Sequence, residues 1–394
     1  MDLNVLPKDF VNTFIRHVNM IKFIGINIFA DKNKNFLAQH GRLMIFSCFV
    51  IPMLIGQILY LFRKDRTGAS FLEVVNAIPS TFMVLQDFVK MFVAASKRDH
   101  IRQVIFEVGE VWPRDLKAHI TAILYLRYTA YITCAIVALG LFELMPLLVT
   151  IYSINTSDTV QYEFPVQVYF FCWLTSHYQY ALAYSYFAFT CTAIHMCIYI
   201  SCDFVLVALT FDVSALLTLL QDDLRNVVHN TDRDESCDDI RSIVVTHQKL
   251  LRLTKRLDDI FGAVIFTQVS FSSVVICCFG FLSVVNIYNG LPVARNLTAA
   301  LGIMFAIFIL AYPGQLLADT SSGVASAAYE CLWYNRSVKF QKYIAIILAR
   351  AQKPCFLTAM GFAELTLAMF SRVLSTSWSY LSLLNQMYQD MELD

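Results

Sequence analysis

Long apolar runs alternate with short charged stretches along this chain, and about 20 apolar residues suffice for a helix to cross the hydrocarbon core of a bilayer. Runs of that kind occupy 42–62, 71–95, 121–152, 166–209, 260–287, 296–318 and 356–388. The fourth is about twice the length one crossing needs, and Ser176, His177 and Gln179 interrupt it. Its first part, 166–179, reads as an aromatic extracellular loop or helical extension, and 180–209 as the span. The pattern predicts an all-α membrane protein with seven transmembrane helices.

Basic residues orient the bundle, because Lys and Arg accumulate on the cytoplasmic side. With the N-terminus cytoplasmic and the C-terminus extracellular, 22 of the 30 Lys and Arg fall in inner segments and four in outer ones. Three of those four, Arg63, Lys64 and Arg66, cluster in one outer loop. The expected layout is a cytoplasmic N-terminal segment at 1–41 and transmembrane helices 1–6 at 42–318. A cytoplasmic anchor helix follows at 319–355, then helix 7 with a short extracellular tail at 356–394. Glycosylation sequons at Asn155 and Asn296 land outside in this topology, whereas that at Asn335 lands inside and should stay bare.

Composition narrows the class further. At 57% hydrophobic and 15% charged, the chain is too apolar for a soluble multidomain protein. Zero net charge gives no reason to expect nucleic acid. The eleven cysteines form no CxxC and no His/Cys cluster at metal spacing, so they read as reduced packing residues and no metal or other cofactor is expected. The first forty residues break their apolar positions with Lys8, Arg16, Lys22, Asp31, Lys32 and Lys34, unlike a cleaved leader. Insertion is therefore expected to use the first span. No HExxH, GxSxG or GxxxxGK occurs, so no enzyme is indicated. An inside N-terminus reverses the G-protein-coupled receptor topology, and neither Asp-Arg-Tyr closes the third span nor Asn-Pro-x-x-Tyr the seventh.

The last span is unusually wet. On a helix Ser371, Ser375, Ser379, Ser382 and Gln386 follow at spacings of three and four and form one polar stripe. Leu383 and Met387 run beside it as an i, i+4 pair near the outer end. Two readings fit. Small hydroxylated residues let helices approach closely and bond across one another or to their own carbonyls. Alternatively the stripe lines a pore: a wettable, uncharged wall ending in an apolar ring that closes by dewetting. Stripe geometry does not choose between them, and one such helix per chain needs several chains about an axis. Charges inside spans also ask for partners. Asp87 and Lys90, at i, i+3, are placed to satisfy each other. Glu143 falls in the outer third span, Glu364 and Arg372 two turns apart on the inner part of helix 7, and Asp390, Glu392 and Asp394 in an acidic tail.

The stretch from Tyr312 to Tyr388 resembles the insect odorant receptor family. The likeness runs through YPGQLLADTSSGVASAAYECLWYN and ARAQKPCFLTAMGFAELTLAMFSRVLSTSWSYLSLLNQMY. It includes the Gly314-Gln315 step, Ser322, Tyr329, Trp333, the Arg350 to Pro354 turn, and Phe370, Ser379, Tyr380 and Leu384. Upstream it thins to FIRHVNMIKFIGINIF, the seven inverted spans and the loop lengths. A short stretch between the fourth and fifth spans resembles an odorant-tuned subunit rather than the shared co-receptor. The resemblance implies a ligand-gated, non-selective cation channel in the plasma membrane of olfactory neuron dendrites. Four subunits, tuned receptor mixed with co-receptor, would surround a pore lined by the last helices, with the anchor packed between subunits. Carried over residue by residue, the outer gate falls on Leu383 and Met387, with Gln386 as a polar ring and Ser379 and Ser382 in the pore wall. The family often has Val at the first gate position, so Leu383 departs from it.

The same resemblance implies a small-volatile pocket in the outer half of the bundle between the second and sixth spans. Those levels here hold Ser80, Phe82, Met83, Phe142, Met145, Tyr184, Phe187, Ala188, Cys191, Phe271, Cys278 and Phe279. Walls of that composition suit an uncharged ligand held by desolvation and dispersion. For any one of these residues, packing against core or lipid is the competing role. A gustatory-type receptor channel shares the fold and part of the C-terminal pattern. A transporter should show repeated halves or paired broken helices, and no inverted repeat is visible.

Overall fold

The computed structural model describes residues 6–29, 36–62, 71–113, 133, 137, 140, 144–155, 162–164, 168, 176–190, 198, 200–227, 236–287 and 290–393. Helices dominate the described residues: α1 (Lys8–Ile24), α2 (Phe36–Phe62), α3 (Phe71–Ser96), α4 (Arg98–Val111), α5 (Leu144–Asn155), α6 (His177–Thr190), α7 (Ser201–Asn226), α8 (Ser236–Val285), α9 (Gly290–Glu330), α10 (Val338–Ala351) and α11 (Leu367–Leu393). Five of them, α2, α3, α7, α8 and α9, are long and apolar enough to cross a membrane. The expected spans map onto these in order, with α5 in the third, α6 and α7 in the fourth and α11 in the seventh.

Helix α8 has 50 residues, or about 75 Å at 1.5 Å per residue, more than twice the hydrocarbon thickness. Its first half carries Asp238, Asp239, Arg241, Lys249, Arg252, Lys255 and Arg256, and its second half is apolar from Ile260. The helix therefore runs out of the bilayer into a polar helical base. There α10 packs on α8 and α9, and α4 on α7 and α8. In the bundle α3, α9 and α11 pack on α8, and α7 on α9. One core links α1, α3, α4, α7, α8, α9, α10 and α11. A second, smaller cluster joins Val50 and Met53 of α2 to Val84 of α3 and Phe187 of α6. The other face of α2 exposes Ile45, Phe49, Ile51, Ile55, Ile58 and Leu59, as a lipid-facing span should.

The segment before the first span contains a helix that the span count does not anticipate. Phe10, Phe14, Val18, Ile21 and Ile24 recur at helical spacing on α1 and are all buried. The helix packs on α7 and ends where Gly25, at φ 108°, donates to the Lys22 carbonyl and Ile26 to that of Ile21.

Two expectations need correction. Helix 7 begins at Leu367, not Phe356: residues 357–365 fold back as a tight hairpin, with Leu365 N donating to the Leu357 carbonyl and Ala359 N to that of Ala363, both at 2.8 Å. Glu364 is thus in the hairpin, and α11 continues through Asp390 to Leu393 in place of a separate tail. The anchor is not one helix. The sixth span runs on as α9 to Glu330, the chain turns at 331–337, and α10 restarts at Val338 with Ser337 accepting from Phe340 N. Beyond these corrections, the ammonium of Lys90 reaches Asp203 on α7 at 2.8 Å, a partner across the bundle that reading the span alone did not anticipate.

Candidate pore and ligand surfaces

All five members of the stripe on α11, Ser371, Ser375, Ser379, Ser382 and Gln386, are exposed. Ser379 and Ser382 donate to the carbonyls of Ser375 and Trp378 in their own helix, each at 3.1 Å. Leu383 and Met387 are also exposed, at 53% and 46%. Contact with the rest of the chain uses the opposite edge, where Val373 and Ser377 are buried. Ser377 Oγ lies 2.8 Å from the Val373 carbonyl and 3.0 Å from that of Ser273 on α8. Cross-helix bonding by a hydroxyl therefore falls to Ser377, off the stripe, while the stripe turns outward from its own chain. Gly280 faces α11, where the tip of the Leu381 side chain fills the space a Cβ on it would take.

The foot of α11 is clamped to both long helices. Asp258 on α8 accepts from Thr358 N at 2.6 Å and from its hydroxyl at 2.9 Å. Thr358 Oγ1 in turn accepts from Gly361 N at 3.0 Å. The hairpin tip takes left-handed backbone at Met360 (φ 53°) and Gly361 (φ 80°), costly for Met and free for Gly. On the α9 side, Cys355 N donates to Ser321 Oγ at 2.9 Å. Gly314 leaves no room for a Cβ beneath the Leu365 carbonyl. Sequence reasoning missed this clamp, although Gly361 within an apolar run was a signal for a turn.

The expected ligand residues fall into two groups separated by α3. Phe82 meets Phe271 edge-on at 4.8 Å between ring centroids, and Met83, Cys278 and Phe279 pack in the main core. On the other side Tyr184 and Phe187 join Phe164, at 6.3 and 5.8 Å. Ser80 is buried with its hydroxyl given to the Ala77 carbonyl at 3.0 Å. Met145 on α5 and Ala188 on α6 are half-buried. Phe142, Glu143 and Cys191 lie outside the described residues.

Over this region the short segment 162–164 is tied down by polar contacts. Tyr180 hydroxyl lies 2.9 Å from the Glu163 carbonyl and 3.0 Å from Thr150 Oγ1, and Glu163 N donates to that same oxygen at 3.0 Å. Arg295 of α9 reaches the Glu163 carboxylate at 3.9 Å. Tyr162 hydroxyl and His177 Nδ1 are 2.8 Å apart. Asn155 is exposed at the end of α5 and remains open to a glycan. Asn296 is 1% exposed, so the folded structure has no room for one there and that sequon is corrected. A water-sized cavity near the Lys90–Asp203 pair, lined also by Cys202 and Phe261, is far too small for an odorant.

Comparison with known proteins fixes the class. The model of the 7tm Odorant receptor family matches residues 70–378, and the chain belongs to that family: it is a receptor and not an enzyme. It is similar to Odorant receptor 85b of Drosophila melanogaster, 27% identical over 337 residues that cover 81% of this chain and 83% of that one. Odorant receptor 85c of the same fly is 24% identical over 93% of this chain and 96% of its own length. Its fold matches the structure of the insect olfactory receptor OR5 from Machilis hrabei in complex with eugenol, with a TM-score of 0.82, 16% identity and coverage of 96% of this chain and 100% of that one.

Proposed function

We propose that this chain is the odorant-tuned subunit of a heteromeric, ligand-gated, non-selective cation channel. The observation that carries this reading is the outward stripe Ser371, Ser375, Ser379, Ser382 and Gln386, a wettable surface that its own bundle leaves uncovered. Around a central axis four such helices enclose an aqueous path, and Leu383 with Met387 forms the apolar ring that closes it. The N-terminus and the helical base are cytoplasmic, following the Lys and Arg distribution. Exposed Tyr329, Tyr334, Val338 and Ile346 in that base supply apolar contact to neighbouring subunits, the co-receptor among them. A small volatile enters the outer half of the bundle among Phe82, Met83, Met145, Tyr184, Phe187 and Phe271, and its binding opens the ring. The complex resides in the plasma membrane of olfactory neuron dendrites.

Two-electrode voltage clamp on cells expressing the chain with and without an insect co-receptor tests this, with small aromatic and heteroaromatic volatiles as stimuli. Odorant-evoked, reversing cation current that requires the co-receptor is expected. Persistent silence with both proteins at the surface and a broad volatile panel contradicts it and reopens the gustatory reading.

A further inference from the structure

Gln57 lies toward the outer end of α2 and is 0% exposed. Among the described residues neither its Nε2 nor its Oε1 has a hydrogen-bond partner. Its neighbours Ile58 and Leu59 face outward, so the amide points into the protein and not toward lipid. Val50, Met53 and Gln57 fall at i, i+3 and i+7 on one helical stripe. The first two pack with Val84 of α3 and Phe187 of α6. Gln57 therefore sits one turn outward of the cluster against which Phe164 also packs.

A primary amide buried with donor and acceptor both unmet is costly, about 1–3 kcal/mol per unmet group in proteins. The difference from the other buried glutamines lies in the amide nitrogen: Gln86 Nε2 donates to the Thr267 carbonyl and Gln268 Nε2 to the Ser272 hydroxyl, both at 3.3 Å. Phe187 and Phe164 give the neighbouring cluster apolar, aromatic walls one turn away, and an unmet amide beside such walls is the kind of polar group that orients a small ligand.

We propose that Gln57 is a specificity-determining contact for the odorant, and that it selects a small uncharged volatile bearing a hydroxyl. A hydroxyl alone answers both halves of the amide, accepting from Nε2 and donating to Oε1. A carbonyl answers only the donor, and a hydrocarbon neither. This inference rests on the odorant-receptor reading above and adds α2 to the helices that line the pocket.

The test compares matched alcohols, their methyl ethers and their parent hydrocarbons on wild-type receptor, Gln57→Met and Gln57→Asn, each expressed with co-receptor and with surface labelling measured. Met keeps the length without the amide, and Asn withdraws the amide by one methylene. For wild type, alcohols should be the most potent of each set. In Gln57→Met the half-maximal concentration for alcohols should rise about three- to tenfold, the worth of one neutral hydrogen bond, with hydrocarbon responses unchanged or stronger. Gln57→Asn should narrow the alcohol preference in the same sense, which keeps the test open if the Met variant fails to reach the surface. Equal shifts for all three ligand classes, no shift at all, or a wild type blind to alcohols would overturn the inference. Silence of the wild type to every ligand would instead strike the channel reading.

Discussion

Lys90 on α3 and Asp203 on α7 form an ion pair at 2.8 Å with side chains 0% and 3% exposed. Removing one partner of such a pair strands a buried charge, at a cost of about 3–5 kcal/mol, whereas replacing both by apolar residues is often neutral. Lys90→Met or Asp203→Leu alone should lower the melting temperature of the solubilised receptor and its surface abundance. The double variant should recover most of the loss. Single variants as stable as wild type would mean that the pair does not hold α3 to α7.

Gly314 and the Leu365 carbonyl meet where the sixth span passes the foot of α11. Gly314→Ala forces the two apart, and overpacking of this kind costs about 1–3 kcal/mol. Gly41→Ala meets nothing within 4 Å and should be neutral. Thermal melting of the two variants side by side checks the contrast.

The Asp258 clamp makes a similar prediction with a different cause. Asp258→Ala deprives Thr358 N and its hydroxyl of a charged acceptor, and each hydrogen bond to a charged group contributes about 1.5–3 kcal/mol. The variant should melt lower than wild type, and hydrogen exchange should rise at 358–365 more than elsewhere. Unchanged exchange there would show that the hairpin holds itself.

His247 lies in the charged half of α8, beyond the bilayer, and is 3% exposed. Burial, with the Arg350 cation near it, pushes its imidazole down to about 4, against about 6.5 in an unfolded chain. The folded base therefore holds the neutral ring. Its stabilising contribution is complete above pH about 6.5 and is lost as pH falls from there toward 4, because the unfolded chain takes up the proton first. Melting temperature should drop between pH 7 and pH 5, and His247→Gln should reduce that drop. A pH slope identical in the variant would contradict the assignment.

The spans and the stripe were legible because both depend on periodicity. Apolar length marks a crossing, and five polar residues at three- and four-residue spacing lie on one face wherever the helix packs. The start of α11 was not legible: Phe356 to Leu365 is nearly as apolar as the helix after it, and its turn depends on Asp258, 100 residues away in sequence. Distance along the chain also hid Asp203, a partner of Lys90 113 residues off. The Asn296 sequon is a pattern of three residues, and only the packed outer end of α9 reveals its burial. Composition drew attention to the aromatics and passed over Gln57, since one glutamine in an apolar span looks alike whether or not its amide is partnered.

Cysteine accessibility along α11 tests the pore most directly. Ser379→Cys, Ser382→Cys and Ser377→Cys, each expressed with co-receptor, are exposed to a positively charged thiol reagent while odorant-evoked current is recorded, with wild type controlling for native thiols such as the exposed Cys48. The account predicts irreversible block at 379 and 382, on the outward stripe, and none at 377, which is buried against α8. Current untouched at 379 and 382 with labelling of both verified, or block confined to 377, would contradict the claim that this stripe lines the ion path.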